Sequence, residues 1–311
     1  MDVGEKKKKK KKMMNRLAET LRYKIRSRRN AFLHGRKHKE VRKRVLEHYR
    51  SHPPTDPDTQ KAVEYLQHHP LTTFYGTFQE KYRFRDVEVH RDATLGLPYV
   101  VTEGKRLYFK RSHNERTVQL LFTMLRIEQD GESPHCYTDA TFYPREADTL
   151  ADVGCAEGYF SLLYADRVKR LCLFEQEGEW LEPLKATFAP WREKVTLVPR
   201  FVGADNSGNT ISLDRFFAHR VEKPDFYKID VEGAEAQVLE GMRRLLSQHP
   251  IRVALCTYHH REDFERFSRF FSAQEFHQRP NAGVMIFLND LKNLTPPYFR
   301  KCLIKASTYD E

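Results

Sequence analysis

From residue 149 onward, short apolar runs alternate with stretches whose apolar residues recur every three or four positions. The runs at 149–153, 168–175, 195–203, 225–230 and 251–258 read as buried strands, and 275–279 with 284–289 as a closing antiparallel pair. Helical spacing falls between them at 159–166, 179–188, 235–246 and 262–271. This alternation predicts an α/β fold with a doubly wound, mostly parallel sheet and an antiparallel last strand. Ahead of it the pattern is mixed. A helix is expected at 60–68, a strand at 82–91, and a hairpin at 99–110 turning at Glu103-Gly104. Asn114 caps a further helix that carries Val118, Leu121 and Leu125 on one face and ends near Glu128. Pro53, Pro54 and Pro57 separate all of this from the start of the chain. The expected division is an arm at 1–57, a mixed α+β substrate or cap region at 58–148, a ligand-binding core at 149–292 and a tail at 293–311.

Charge changes the picture of the arm. Residues 1–52 hold 20 Lys+Arg against 5 Asp+Glu, so the rest of the chain, with 34 against 38, is slightly acidic despite a net charge of +11. Lys6 to Lys12 form an unbroken run whose self-repulsion predicts a solvated tail. Met14, Leu17, Leu21 and Ile25 then place one apolar stripe on a basic helix, suited to docking on protein or lying on anionic lipid. Nucleic acid is the weaker expectation, because few aromatics are interleaved to stack on bases. No apolar run approaches the ~20 residues of a membrane span, and no apolar signal region follows the basic start. Five scattered cysteines without a Cys-x-x-Cys fit a reducing cytoplasm, at most beside the inner membrane face.

The candidate chemistry centres on Thr149 to Leu163, TLADVGCAEGYFSLL. A buried strand ending in Asp152 and Val153 runs into Gly154, then Cys155, Ala156 and Glu157, then Gly158 and a helix. Glycines here allow close backbone approach, and the helix start can face a ligand. The residue two after Gly154 is Ala156, so the Gly-x-Gly-x-x-Gly turn of dinucleotide sites is missing. Asp-x-Gly-x-x-x-Gly suits S-adenosylmethionine instead. In a doubly wound sheet, ligands lie beyond the carboxyl ends of the strands. Those ends offer Glu175 for ribose hydroxyls, Asp205 for an adenine amino group, Asp230 with Glu232 two residues on, and Tyr258-His259-His260. Glu235 reads as a helix-capping acid. His135 sits in the polar loop 128–137, near the same end of the sheet.

DVGCAEGYFSL, LFE, SLDRFF and PDFYKIDVEGAEAQVLEGM together resemble the FkbM-type family of S-adenosylmethionine-dependent methyltransferases over roughly residues 100–290. The resemblance implies the seven-stranded class I, Rossmann-like fold and O-methylation of sugar or natural-product hydroxyls. By position, Asp152, Gly154 and Gly158 would hold the methionine end, Glu175 the ribose and Asp205 the adenine edge. The Gly-Cys-Ala-Glu turn stands where many members have Gly-Ala-Asn, so Glu157 adds a charge beside the cofactor.

A hydroxyl acceptor needs alignment with the donor and usually a base. His260, Asp230, Glu232 and His135 are the catalytic candidates. No metal-ligand set is assigned, although Asp230 and Glu232 offer a divalent cation two carboxylates. The leading expectation is an O-methyltransferase of a saccharide, glycolipid or natural-product-like acceptor, its arm available for peripheral membrane contact. The alternatives are an RNA ribose methyltransferase using the basic arm, or a non-catalytic binding module on the same fold. Base-amino methylation is disfavoured, because IDVEGAE stands where an Asn/Asp-Pro-Pro-Tyr motif belongs.

Overall fold

The computed structural model describes residues 37–288 and 294–309; the lysine run and the basic stripe lie outside them. Contacts divide the chain into two units, residues 1–73 with 288–298 and residues 74–287 with 299–311. In the first unit, residues 37–51 are helical, and a second helix, Pro57–His68, starts at Asp56, whose carboxylate accepts from Thr59 N. Arg42 ties the two helices by donating to the carbonyls of Leu66, Gln67 and His69. That satisfies carbonyls at a helix end which have no partner within the helix.

The second unit holds a seven-stranded sheet: β1 Thr149–Val153, β2 Arg170–Phe174, β3 Val195–Val198, β4 Phe226–Ile229, β5 Arg252–Cys256, β6 His277–Pro280 and β7 Leu303–Ser307. Their order is β6-β7-β5-β4-β1-β2-β3. The pairs from β5 through β3 are parallel, whereas β7 is antiparallel to both its neighbours. β1, β4 and β5 are buried throughout, as expected when helices cover both faces. Leu150, Leu171, Leu173, Ala254 and Leu303 feed one core; Ala151, Val153, Phe174, Ile229, Val253 and Ile304 feed the other. The period-2 alternation of strand side chains sorts them between the two faces.

Several expectations are corrected. The antiparallel partner is 303–307, inside the segment read as a tail, and not 284–289. LIKAS hides its strand character behind Lys305, a buried cation held by Asp139. Residues 82–91 form one 3₁₀ turn, Phe84–Asp86, and a two-residue strand, His90–Arg91, instead of one long strand. The 99–110 hairpin forms, with Glu103 and Gly104 at positive φ in its turn. Asn114 caps Glu115–Glu128 by accepting from Thr117 N, but the inward face is Val118, Phe122 and Ile127, and Leu121 is exposed. The 235–246 helix is two, Glu235–Glu240 and Arg243–Gln248, broken at Gly241.

Candidate active site

β1 and β4 sit side by side at the point where the sheet order reverses, and their ends open on one cavity of about 420 Å³. Asp152, Gly154, Cys155, Ala156 and Glu157 line it from the β1 turn, Glu175 from the end of β2, and Asp230 and Glu232 from the end of β4. His135 and Tyr137 come from the loop after the Asn114-capped helix, and Glu128 from that helix's last position. Three predicted residues are not in the lining. Asp205 is exposed in the turn beyond β3, bonded to Ser207, and Arg200, Phe201 and Val202 take that wall. Gly158 packs away from the cavity. His260 turns aside, its Nε2 3.2 Å from Gly233 O.

The two glycines of the turn are needed for contacts other than the expected ones. Gly154 has φ +78°, and a Cβ there would lie 2.0 Å from the Asp230 carbonyl oxygen. It permits the ends of β1 and β4 to meet. Gly158, at φ +81°, would place a Cβ 2.7 Å from the Phe188 ring, so it serves packing against the next helix. Between them Ala156 also has positive φ, and its N–H donates to Glu175 Oε2 at 2.9 Å. Glu175 Oε1 accepts from Glu177 N at 2.7 Å. Two backbone donors thus fix this carboxylate at the cavity wall, with lone pairs left over for further donors.

Asp152 sits across the strand register from Lys228. Lys228 Nζ lies 3.1 Å from Asp152 Oδ1 and donates to Gly154 O at 2.6 Å, while Ser161 donates to Asp152 Oδ2. Burial opposes the charge on Lys228, but Asp152 and Asp230 outweigh it and hold its pKa above the usual lysine range. Asp230 accepts from the Tyr137 hydroxyl at 2.8 Å and the Tyr258 hydroxyl at 3.2 Å. Burial would raise its pKa; Lys228, His135, His259 and Tyr137 reverse that and keep it ionised.

The remaining groups diverge by environment. His135 is buried, and desolvation lowers its pKa to about 4 despite Asp230, so it is a neutral ring at neutral pH. His259 is buried too, but Glu232, Glu235 and Asp230 overcome desolvation and raise it to about 10. Burial raises Glu157 to about 7 and, with Asp230 and Glu157 nearby, Glu128 to about 8. Glu128 also ends its helix, where the dipole disfavours negative charge. Sequence alone names Tyr258 and His259 only within the strand-end run Tyr258-His259-His260, of which His260 is the catalytic candidate, and it does not single out Glu128, Tyr137 or Lys228. A lysine inside the apolar run FYKI is the visible signal for Lys228.

Residues 144–285 match the family model described as the methyltransferase FkbM domain. This segment resembles a methyltransferase FkbM domain. The strand order above is that of a doubly wound, Rossmann-like sheet. Among solved structures, methyltransferase FkbM from Methylobacillus flagellatus KT is similar at 14% identity with a TM-score of 0.43, over 62% of this chain and 53% of that one. The chain thus spans about half the length of that relative. An rRNA methylase from Streptococcus thermophilus aligns at 11% identity and TM-score 0.33, over 53% of this chain and 87% of that one. The C-terminal domain of precorrin-6Y C5,15-methyltransferase from Rhodobacter capsulatus aligns at 13% and 0.37, over 54% and 83%. No curated protein matches the chain.

Proposed function

We propose that the protein is an S-adenosylmethionine-dependent O-methyltransferase acting on a hydroxyl of a saccharide, glycolipid or natural-product-like acceptor. The observation that carries this reading is the charge balance of the FkbM-domain cavity. Its one buried lysine is tied to Asp152 and Gly154 O, while Glu128, Glu157, Glu175, Asp230 and Glu232 all line the same space. Such a wall favours a cationic ligand and disfavours a pyrophosphate. Glu175, held by two backbone donors, is placed to accept from ribose hydroxyls, and Arg200, Phe201 and Val202 provide the wall for a base.

The cofactor supplies an activated methyl group; the chain's task is to align the acceptor oxygen and remove its proton. Alignment contributes ~7–11 kcal/mol and a well-matched base ~10²–10⁴-fold. At neutral pH His259 is already protonated and the Asp230 carboxylate is a weak base, engaged by two tyrosines. Glu157 and Glu128 have pKa values nearest the working range, so they are the groups assigned to take the proton, with Asp230 orienting the acceptor. Tyr137, Tyr159, Phe160 and Trp180 supply aromatic parts of the wall.

The decisive experiment supplies labelled S-adenosylmethionine and fractionated cell extract to the full chain. Label is expected in saccharide or glycolipid. Label in RNA would replace this acceptor class with ribose methylation, and absence of both turnover and S-adenosylhomocysteine binding would leave a non-catalytic module. We also propose peripheral membrane contact through the basic arm, tested by vesicle flotation; equal flotation of the full chain and a form starting at Asp58 removes it. Among the described residues no helix is long and apolar enough to cross a membrane.

A further inference from the structure

The hairpin strand Lys105–Tyr108 runs beside the helix Gly178–Thr187, and the residues that leave the strand fasten that helix along its length. Tyr108 N donates to Thr187 Oγ1 at the far end, at 3.0 Å. Arg111 donates to Glu182 in the middle, and Lys110 to Glu177 at the start. All three donors precede the matched segment 144–285, so the helix is braced from the region ahead of it.

Lys110 differs from the other two. Its side chain is only 11% exposed, a state that a lysine rarely takes without a paired carboxylate. The amine lies 4.6 Å from the centre of the Trp180 ring and 3.8 Å from Glu179 Oε2. Glu177 holds the N-cap position of the helix, yet its side chain makes no capping bond; the carboxylate goes to Lys110 instead. The main-chain N–H of the same residue donates to Glu175 Oε1 at 2.7 Å. Glu177 thus joins a buried cation to the carboxylate proposed to accept from ribose. Glu175, Glu177 and Trp180 line the cavity and Lys110 does not, so any effect of Lys110 on a ligand passes through them.

The charges in this turn need a cation. Glu175, Glu177 and Glu179 stand at alternate positions along the chain, and like charges so close repel. Lys110 lies within ion-pair distance of both Glu177 and Glu179. Without it the Glu177 side chain is released to water, and the turn loses the contact that fixes its N–H against Glu175.

We infer that Lys110 is a positioning residue for cofactor binding: by holding Glu177 it keeps the Glu177 N–H on Glu175 and the Glu175 carboxylate in one orientation. The inference rests on the ribose role proposed for Glu175.

Calorimetric titration of the full chain with S-adenosylhomocysteine tests it. Lys110→Met and Glu177→Ala should each weaken binding about tenfold. Lys110→Arg, which keeps a cation over Trp180, should recover most of that loss. Arg111→Ala removes a brace of the same helix from an exposed position and should leave the affinity unchanged. An equal loss there would mean general loosening of the helix and would overturn the role. The deciding comparison is made in a Glu175→Gln background. Lys110→Met should add no more than about a twofold loss, because both changes act through one carboxylate; a further tenfold loss overturns the inference, as does undiminished binding by Lys110→Met alone. If Lys110→Met fails to fold, Glu177→Ala carries the same comparison, its side chain being 53% exposed. A wild-type chain that binds no S-adenosylhomocysteine removes the methyltransferase reading and this role with it. A wild-type chain that binds it, with variants at Lys110 and Glu177 that bind equally well, loses only the role of Lys110.

Discussion

Lys228 Nζ lies 3.1 Å from Asp152 Oδ1, with 6% of one side chain and 1% of the other exposed. The two residues are register partners on adjacent parallel strands, so the pair joins β4 to β1 directly beneath the cavity. Asp152 is thereby neutralised, and the charge available to a ligand comes from the carboxylates around it.

Removing one partner leaves a buried charge alone. Lys228→Met is expected to cost about 3–5 kcal/mol, and Asp152→Leu with Lys228→Met to recover much of that loss, because a buried pair replaced as a unit leaves no orphan. Urea unfolding of the single and double variants checks this; equal losses would contradict it.

Gly154→Ala should damage the protein more than Gly158→Ala. The first places a Cβ 2.0 Å from backbone, which cannot rotate away; the second meets the Phe188 and Leu184 side chains at 2.7 and 2.9 Å. Losses of about 3 kcal/mol or more, against about 1–3 kcal/mol, are expected from thermal melts, with positive φ adding to both.

Glu175→Gln keeps the shape of the cavity wall and removes the charge that would accept from ribose. S-adenosylhomocysteine should bind about 10–100-fold more weakly, the equivalent of about 1.5–3 kcal/mol for a charged hydrogen bond. Calorimetry showing unchanged affinity would remove the ribose role.

Glu157 and Glu128 ionise near pH 7 and 8. Each attracts a sulfonium only when ionised, so preference for S-adenosylmethionine over the uncharged-sulfur product should rise from pH 6 to pH 9. A change of roughly tenfold, about 1.4 kcal/mol, is expected by paired calorimetric titrations. Glu128→Gln should flatten the upper half of that rise.

Asp139 supports the edge of the sheet. Burial raises its pKa, but Arg279 and Lys305 outweigh this and hold it well below the ordinary 3.8. A carboxyl with a depressed folded pKa contributes stability that is present above its unfolded value and lost as pH falls below it. Asp139→Asn should therefore lower stability at pH 7 and narrow the gap to wild type below about pH 4, as read by denaturant midpoints.

The sequence by itself determined the parallel core, the glycine turn, and the carboxylates that end β2 and β4. Each is a local matter: apolar runs of strand length, glycines where φ is positive, and acids one residue past a buried run. Periodicity cannot report pairing across long separations. LIKAS at 303–307 pairs antiparallel with both β5 and β6, and its buried Lys305 is held by Asp139, far away in sequence. The same holds at the site. Strand-end position alone did not separate His259 from His260. Tertiary structure placed His259 among Asp230, Glu232 and Glu235, and turned its neighbour towards the Gly233 carbonyl. It also made an acid of neutral-range pKa from Glu128, an unremarked helix-terminal residue, by burying it beside Asp230 and Glu157. Desolvation and through-space charge belong to the packed molecule, which is why those roles could be read only from the fold.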